Sequence, residues 1–113
     1  MRELINNVIQ WASDRNILEG STALKQLDKT SEEFNELQRA AGAHEYVMLV
    51  DGYPDLDVLK ELEDAYGDVL VTLIIASQMH GISLEDALAT AWNTIKDRKG
   101  RLVNGKFVKE EDL

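Results

Sequence analysis

Four apolar residues near the N-terminus recur at the spacing of one helical face: Leu4, Ile5, Val8 and Ala12. Residues one and two turns apart lie on the same side of an α-helix, so this pattern predicts a first amphipathic helix over residues 2–14, with Trp11 beside its apolar face. The segment NILEGST that follows interrupts the pattern and predicts a break.

A second apolar stripe follows this break and contains Leu27, Phe34, Leu37 and Ala41. Ser21 or Thr22 supplies a side-chain oxygen that caps the first turn of this second helix, and Gly42 is typical of a helix end. The next segment, AHEYVMLVDGYP, fits either a short strand or the start of a further helix, with DGYP as a turn.

After Pro54 and Asp55, a third helix is predicted to extend to about His80, where Gly81 ends it. The second half of this helix, VLVTLIIASQM, is apolar on nearly all sides. Such a pattern is typical of a helix that is surrounded by others, so the third helix is expected at the centre of the fold.

A fourth helix is predicted from the apolar stripe Leu84, Leu88, Ala91 and Ile95. Ser83 and Asp86 open this helix in the arrangement of a capping box, with Asp in place of the usual Glu or Gln. The segment from Lys96 to Lys99 closes it with positive charge at the negative end of the helix dipole.

The C-terminal residues carry a hairpin signal, because Asn104-Gly105 lies between short apolar runs in RLVNGKFVK. We assign about residues 101–113 to a hairpin and tail. The chain has one Pro and no repeat or low-complexity linker, so residues 1–113 are predicted to form a single domain. The predicted class is all-α: a four-helix bundle with a small C-terminal β-hairpin.

The charge balance narrows the choice of partners. Twelve Lys and Arg against 21 Asp and Glu give a formal charge of −9. A field of this sign repels nucleic-acid phosphates and anionic membrane surfaces, so we expect no nucleic acid and no membrane as a partner. The same field repels nucleotides unless metal cations reverse the local sign.

The sequence predicts neither export nor membrane insertion. The apolar run VLVTLIIA (69–76) is far shorter than the roughly 20 residues that a membrane-spanning helix needs. Asn6, Asn7 and Gln10 lie where a signal peptide has its apolar segment. The absence of cysteine suits a reducing compartment, and we expect a cytoplasmic protein.

Three carboxylates are crowded into the second helix in the stretch TSEEFNELQRA, residues 30–40. At 100° per residue, Glu33 lies about 85° from the centre of the apolar stripe, Glu36 about 145° and Glu32 about 175°. Glu33 therefore borders the core, whereas Glu32 faces away from it. Lys29 precedes Glu33 by one turn and is placed to pair with it.

The third helix carries a matching acidic face, formed by Asp57, Glu61, Asp64 and Asp68. If the second and third helices pack side by side, four carboxylates face one another: Glu33, Glu36, Asp64 and Asp68. Such a group repels itself unless cations lie between its members, and Mg²⁺ prefers carboxylate oxygens while keeping waters that phosphates can replace. The competing interpretation is a solvated acidic helix face, which is common in acidic chains.

The densest basic segment of the chain surrounds the end of the fourth helix. Asn93 and Lys96 are one turn apart, and Arg98, Lys99 and Arg101 follow them. Together these groups are suited to hold a polyphosphate beside a metal. The simpler interpretation of Lys99 and Arg101, each considered alone, is that they compensate the helix dipole and keep the protein soluble.

These segments resemble the MazG-like all-α nucleoside triphosphate pyrophosphohydrolases, and in particular the short members that are common in bacteriophages and their hosts. QLDKTSEEFNEL is similar to the family's E-E-x-x-E helix, and DAYGDVLVTLIIAS to its E-x-x-D helix and the apolar run after it. AWNTIKDRKGRLVNGKFVKEE is similar to the closing helix and tail of the phage-type members. The three segments occur in the family's order and cover most of the chain.

Carried over residue by residue, the resemblance implies a site for Mg²⁺, or for Mn²⁺ in its place, held by Glu33, Glu36 and Asp68. The family has Glu three residues before Asp68, where this chain has Ala65, and Asp64 is the natural substitute because it lies on the same face. Glu32 or Glu33 would orient the attacking water. Less sharply matched positions are expected to contact phosphate or nucleotide: Lys29, Asn93, Lys96 and Arg98.

The reaction implied by the resemblance is hydrolysis of a nucleoside or deoxynucleoside triphosphate between its α- and β-phosphates, which releases a monophosphate and pyrophosphate. The family assembles as dimers or tetramers, so we expect a homodimer or homotetramer. Two alternatives stay open. One is a helical interaction module that has lost activity with the Glu missing at position 65, and the other is a hydrolase selective for dUTP or dCTP.

Overall fold

Helices make up most of the computed structural model, which describes residues 1–113. The helices are α1 (Arg2–Asp14), α2 (Ile17–Gly20), α3 (Ala23–Asp51), α4 (Leu56–Met79) and α5 (Leu84–Ile95). A two-stranded antiparallel sheet follows, with strands β1 (Gly100–Val103) and β2 (Lys106–Lys109), and a 3₁₀ turn over Glu110–Asp112 ends the chain. The prediction of a helical chain with a small C-terminal hairpin is confirmed.

The second predicted helix is longer than expected. Thr22 caps α3 by accepting a hydrogen bond from the Lys25 amide at 3.2 Å, as predicted. The predicted end near Gly42 is wrong, because α3 continues to Asp51 and ends at Gly52, whose φ of 77° forms a left-handed cap. A glycine inside a helix costs only about 1 kcal/mol relative to alanine, which packing against a neighbouring helix easily outweighs. AHEYVMLV is therefore helical.

The predicted break after the first helix also contains structure that the pattern did not reveal. Residues Ile17–Gly20 form the single-turn helix α2, so there are five helices where the sequence predicts four. Asn16 precedes this turn in a left-handed conformation, with φ of 60°. Asparagine tolerates that conformation better than most residues, and it redirects the chain between α1 and α3.

The long helices α3 and α4 form a hairpin, joined by residues 52–55, and make the most extensive contact between helices in the molecule. Asp55 caps α4 by accepting hydrogen bonds from the amides of Asp57 at 2.9 Å and Val58 at 3.2 Å. The helix α1 packs on the other side of α4. Most of the buried residues belong to α4, which confirms its predicted central place: Ala65, Thr72, Ile74, Ile75 and Ala76.

The C-terminal hairpin has the turn that its sequence predicts. Asn104 and Gly105 have φ of 52° and 80°, and a type I′ turn requires positive values at both positions. The strands pair in register from Gly100 opposite Lys109 to Val103 opposite Lys106.

The chain divides by position into a body, residues 1–83, and an arm, residues 84–113, which holds α5 and the hairpin. The axis of α5 turns by 99° from that of α4. An ion pair between Arg2 Nε and Glu85 Oε2, at 2.9 Å, ties the first turn of α5 to α1. No single helix is long and apolar enough to cross a membrane. The helices α4 and α5 reach the necessary length and apolar composition only when taken together, with this bend between them.

Candidate functional site

A groove of about 460 Å³ lies between α3 and α4 and contains most of the predicted metal ligands. We call it the acidic groove, and it is lined by Glu36, Arg39, Ala40, Ala43, Glu61, Asp64, Ala65 and Asp68. Four carboxylates and one guanidinium therefore share a single open depression.

Helical spacing places these residues on facing sides of the two helices. On α4, Glu61, Asp64 and Asp68 are three and four residues apart, so their side chains project in one direction. The lining residues of α3 follow the same rule. Ala65, which is only 6% exposed, forms the floor of the groove, because its methyl group leaves the space that a larger side chain would fill.

A part-buried hydrogen bond joins the two helices next to the groove. The hydroxyls of Thr30 on α3 and Thr72 on α4 are 2.7 Å apart, and Thr72 lies one turn beyond Asp68. Thr72 is 7% exposed, and its hydroxyl is also 2.8 Å from the carbonyl of Val69. A directional contact of this kind sets how far one helix can slide along the other, and so fixes which carboxylates face each other.

Three of the predicted metal ligands line the acidic groove together: Glu36, Asp64 and Asp68. They come from two helices, as the sequence predicts. No group of three or more Asp, Glu or His side chains lies at metal-binding spacing, however. The donors have the oxygen chemistry that Mg²⁺ and Mn²⁺ prefer, but an ion here requires the side chains to move inward or further ligands to arrive.

Glu33 and Glu32, the remaining predicted residues of this helix, lie outside the groove lining and pair with Lys29. The Lys29 ammonium is 3.2 Å from a Glu32 oxygen and 3.4 Å from a Glu33 oxygen. The Glu33 side chain is 14% exposed and the Glu32 side chain 69%, which confirms that the first borders the core and the second faces solvent. The hydrogen bond to Glu32, and to a lesser degree the one to Glu33, raises the pKa of Lys29, so this side chain is positively charged.

The predicted phosphate contacts of the arm lie in a different place. Asn93 and Arg98 line a polar groove of about 570 Å³ at the junction of α5 and the hairpin, together with Thr94, Asp97, Lys99, Lys109, Glu110 and Glu111. Lys96 is not part of this lining. The polar groove shares no residue with the acidic groove, so one chain alone does not bring Asn93 and Arg98 to the carboxylates.

Two charged residues of the acidic groove were not assigned to the site from the sequence, Arg39 and Glu61. Glu61 precedes Asp64 by three residues and Asp68 by seven, so the acidic face already contained the signal for it. Arg39 follows Glu36 by three residues and supplies five N–H donors suited to phosphate oxygens. A search restricted to clustered carboxylates passes over such a cation.

The chain is similar to a phage protein. It is 34% identical over 82 residues to the "Uncharacterized 18.2 kDa protein in rep-hol intergenic region" of Haemophilus phage HP1 (strain HP1c1). The alignment covers 73% of this chain and 42% of the phage protein, so the chain spans less than half of that relative's length. No family model matches the chain. No solved structure matches it either.

Proposed function

We propose that the chain is a Mg²⁺-dependent nucleoside triphosphate pyrophosphohydrolase of the MazG-like kind. One observation carries the proposal: Glu36, Asp64 and Asp68, from two separate helices, line one groove. The resemblance of the two helix motifs to that family supplies the reaction. The substrate is a nucleoside triphosphate, with deoxynucleotides as the first choice.

In the proposed reaction, a water oxygen attacks the α-phosphorus, and the bond from that phosphorus to the bridging oxygen of the β-phosphate breaks. The products are a nucleoside monophosphate and pyrophosphate. Glu32 or Glu33 orients the water and accepts its proton, and Lys29 holds both carboxylates in place. Mg²⁺, or Mn²⁺, bound at the acidic groove would polarise the phosphoryl oxygens and offset their charge.

The basic residues divide between two regions in this proposal. Arg39 lies in the acidic groove and is suited to bind the triphosphate oxygens there. Asn93, Lys96 and Arg98 belong to the arm and are proposed to contact phosphate or nucleotide. Because the arm residues share no groove with the carboxylates within one chain, the proposed enzyme is a homodimer or homotetramer.

The first experiment is incubation of the protein with each deoxynucleoside triphosphate and Mg²⁺, followed by detection of pyrophosphate. We expect release with at least one of them. Pyrophosphate release with dUTP alone or dCTP alone would identify the protein as a hydrolase selective for that base. No release with any triphosphate at high protein concentration contradicts the proposal and favours the interaction module.

Two substitutions test the site itself. Glu36→Gln and Asp68→Asn remove one ligand charge each while keeping the shape, and we expect each to lower turnover by at least about 100-fold. Glu63→Gln is the matched control, because Glu63 is exposed on α4 and lies outside the groove. If Glu36→Gln or Asp68→Asn keeps the rate of the control, the groove is not the active site.

The second candidate function is a helical interaction module without activity. It is favoured by Ala65, which stands where the family has Glu, and by the absence of a closed set of three metal ligands. An Ala65→Glu variant separates the two candidates. A silent wild-type protein whose Ala65→Glu variant releases pyrophosphate would be a degenerate relative of the enzyme.

A further inference from the structure

The arm presents an apolar face that nothing covers. On α5 the stripe of Leu88, Trp92 and Ile95 is 66%, 58% and 48% exposed, and Phe107 of the hairpin is 52% exposed. Only the first turn of α5 is held to the body, through the pair between Arg2 and Glu85. An amphipathic helix of this kind is stable when its stripe lies against another apolar surface.

The body presents an apolar groove of about 550 Å³ between α1 and α4. Its lining is formed mainly by Leu4, Val8, Trp11, Leu70 and Val71. Leu4 is 67% exposed and Trp11 45% exposed. This groove has the composition of a helix-binding surface, and the chain's own α5 leaves α4 at 99°.

The chain exposes more surface than a compact monomer of its mass. The chain exposes 8719 Å², whereas a compact monomer of its 12.7 kDa exposes about 6,200 Å². Its radius of gyration is 17.4 Å, against about 13 Å for a compact chain of this length. The excess of about 2,500 Å² far exceeds the roughly 800 Å² that each partner of a standard complex buries, and falls in the range of obligate assemblies.

Charge indicates which surfaces meet. Residues 1–83 contain six basic and 15 acidic residues and therefore carry the whole formal charge of −9, whereas residues 84–113 contain six of each. Within the arm, residues 96–109 hold all six basic residues and one acidic residue. Body against body is repulsive, and contact between a body and the basic segment 96–109 is attractive.

From these observations we propose an exchange of arms between two copies of this chain. The stripe of α5 from one copy lies in the apolar groove of the other, and the basic segment 96–109 lies on the acidic body beside it. A second copy is the occupant because this one chain carries both the empty groove and a helix that matches it in polarity and charge. The proposal concerns assembly, and it does not depend on the proposed hydrolase activity.

A disulfide cross-link tests the exchange directly, since the chain contains no cysteine of its own. In a Val8→Cys/Leu88→Cys double variant, oxidation should link chains to each other, giving covalent dimers or larger species on a non-reducing denaturing gel. The matched control is Val8→Cys/Thr90→Cys, because residue 90 lies on the opposite face of α5 at about 200° from Leu88. Linkage within a single chain, or equal linkage in both variants, overturns the proposal.

The mass in solution provides the second test. By light scattering, the wild-type protein should have at least twice the mass of one 12.7 kDa chain. Trp92→Glu should reduce it to the single-chain mass while Thr90→Glu leaves it unchanged. A monomeric wild type, or a folded Trp92→Glu variant with wild-type mass, overturns the proposal. If Trp92→Glu fails to fold, the cross-link decides. Cross-linking without pyrophosphate release would support the exchange and contradict only the hydrolase.

Discussion

Glu32 and Glu33 are neighbours in the chain and lie in different surroundings. The rotation of about 100° between adjacent helical residues places the first in solvent and the second against the core, yet both share Lys29 as a partner. Glu36, one turn further, has no such cation and faces Asp64 and Asp68 across the acidic groove. A carboxylate with a cationic partner is less available to a metal than one without an ion pair, so Glu36 and Asp68 are the decisive residues of the proposal.

The response of stability to Mg²⁺ follows from this arrangement. A cation that binds only the folded protein raises the melting temperature, and at 100 times its dissociation constant the gain is about 2.7 kcal/mol. We expect Mg²⁺ to raise the melting temperature of the wild type and of Glu63→Gln, and to have little effect on Asp68→Asn. Without metal, Asp68→Asn should melt higher than the wild type, because one repelling charge is gone. Equal responses in all three proteins would contradict the metal site.

A pH effect is expected at the pair between Arg2 and Glu85. The hydrogen bond from Arg2, followed by its charge, lowers the pKa of Glu85 in the folded protein. A lowered pKa means stabilisation that is fully present above the pKa of the unfolded chain, about 4.3, and is lost as the pH falls through the folded value. The melting temperature of the wild type should exceed that of Glu85→Gln at pH 7, and the difference should shrink as the pH falls below the unfolded value and through the lower folded one. Because the pair is exposed, the difference is small.

At the scale of elements, one part-buried hydrogen bond between hydroxyls joins α3 to α4. Thr72→Val keeps the shape and removes the hydrogen bond to Thr30, and we expect a loss of about 0.5–1.5 kcal/mol in the free energy of unfolding, measured with urea. Thr94→Val is the control, because the Thr94 hydroxyl bonds only the Thr90 carbonyl of its own helix, at 3.1 Å. If Thr94→Val lowers the free energy of unfolding as much as Thr72→Val does, the hydrogen bond between the helices has no special role in stability.

Periodicity predicted the helices well where a stripe or a cap marks them, and poorly where tertiary contact decides. The caps at Thr22 and Asp55 and the turn at Asn104-Gly105 act locally, so the sequence contains them. Gly42 was interpreted as a helix end because glycine is unfavourable in isolation, whereas contact with α4 carries α3 on to Asp51. The same reasoning explains the groove: the sequence predicts that Glu36 faces Asp68 if the two helices pack side by side, but only packing shows that Arg39 joins them.

At the scale of the whole molecule, only seven of 113 residues are buried, so the core of one chain is small. If the arms are exchanged, folding and association are coupled, and the melting temperature of the wild type should rise with protein concentration. Thermal unfolding over a 100-fold range of concentration measures this. A melting temperature that stays constant over the range would indicate a monomer that is stable alone.

The separation of charge along the chain has a consequence for the speed of assembly. Two whole chains of −9 each repel each other at a distance, and the basic segment 96–109 attracts an acidic body only once the two are close. Dissolved salt limits the range of charge interactions to about 8 Å at physiological ionic strength, yet leaves the attraction between apolar surfaces intact. If the arms are exchanged, freshly made chains would therefore find one another more slowly in dilute buffer than in brine, while the finished complex would persist in both.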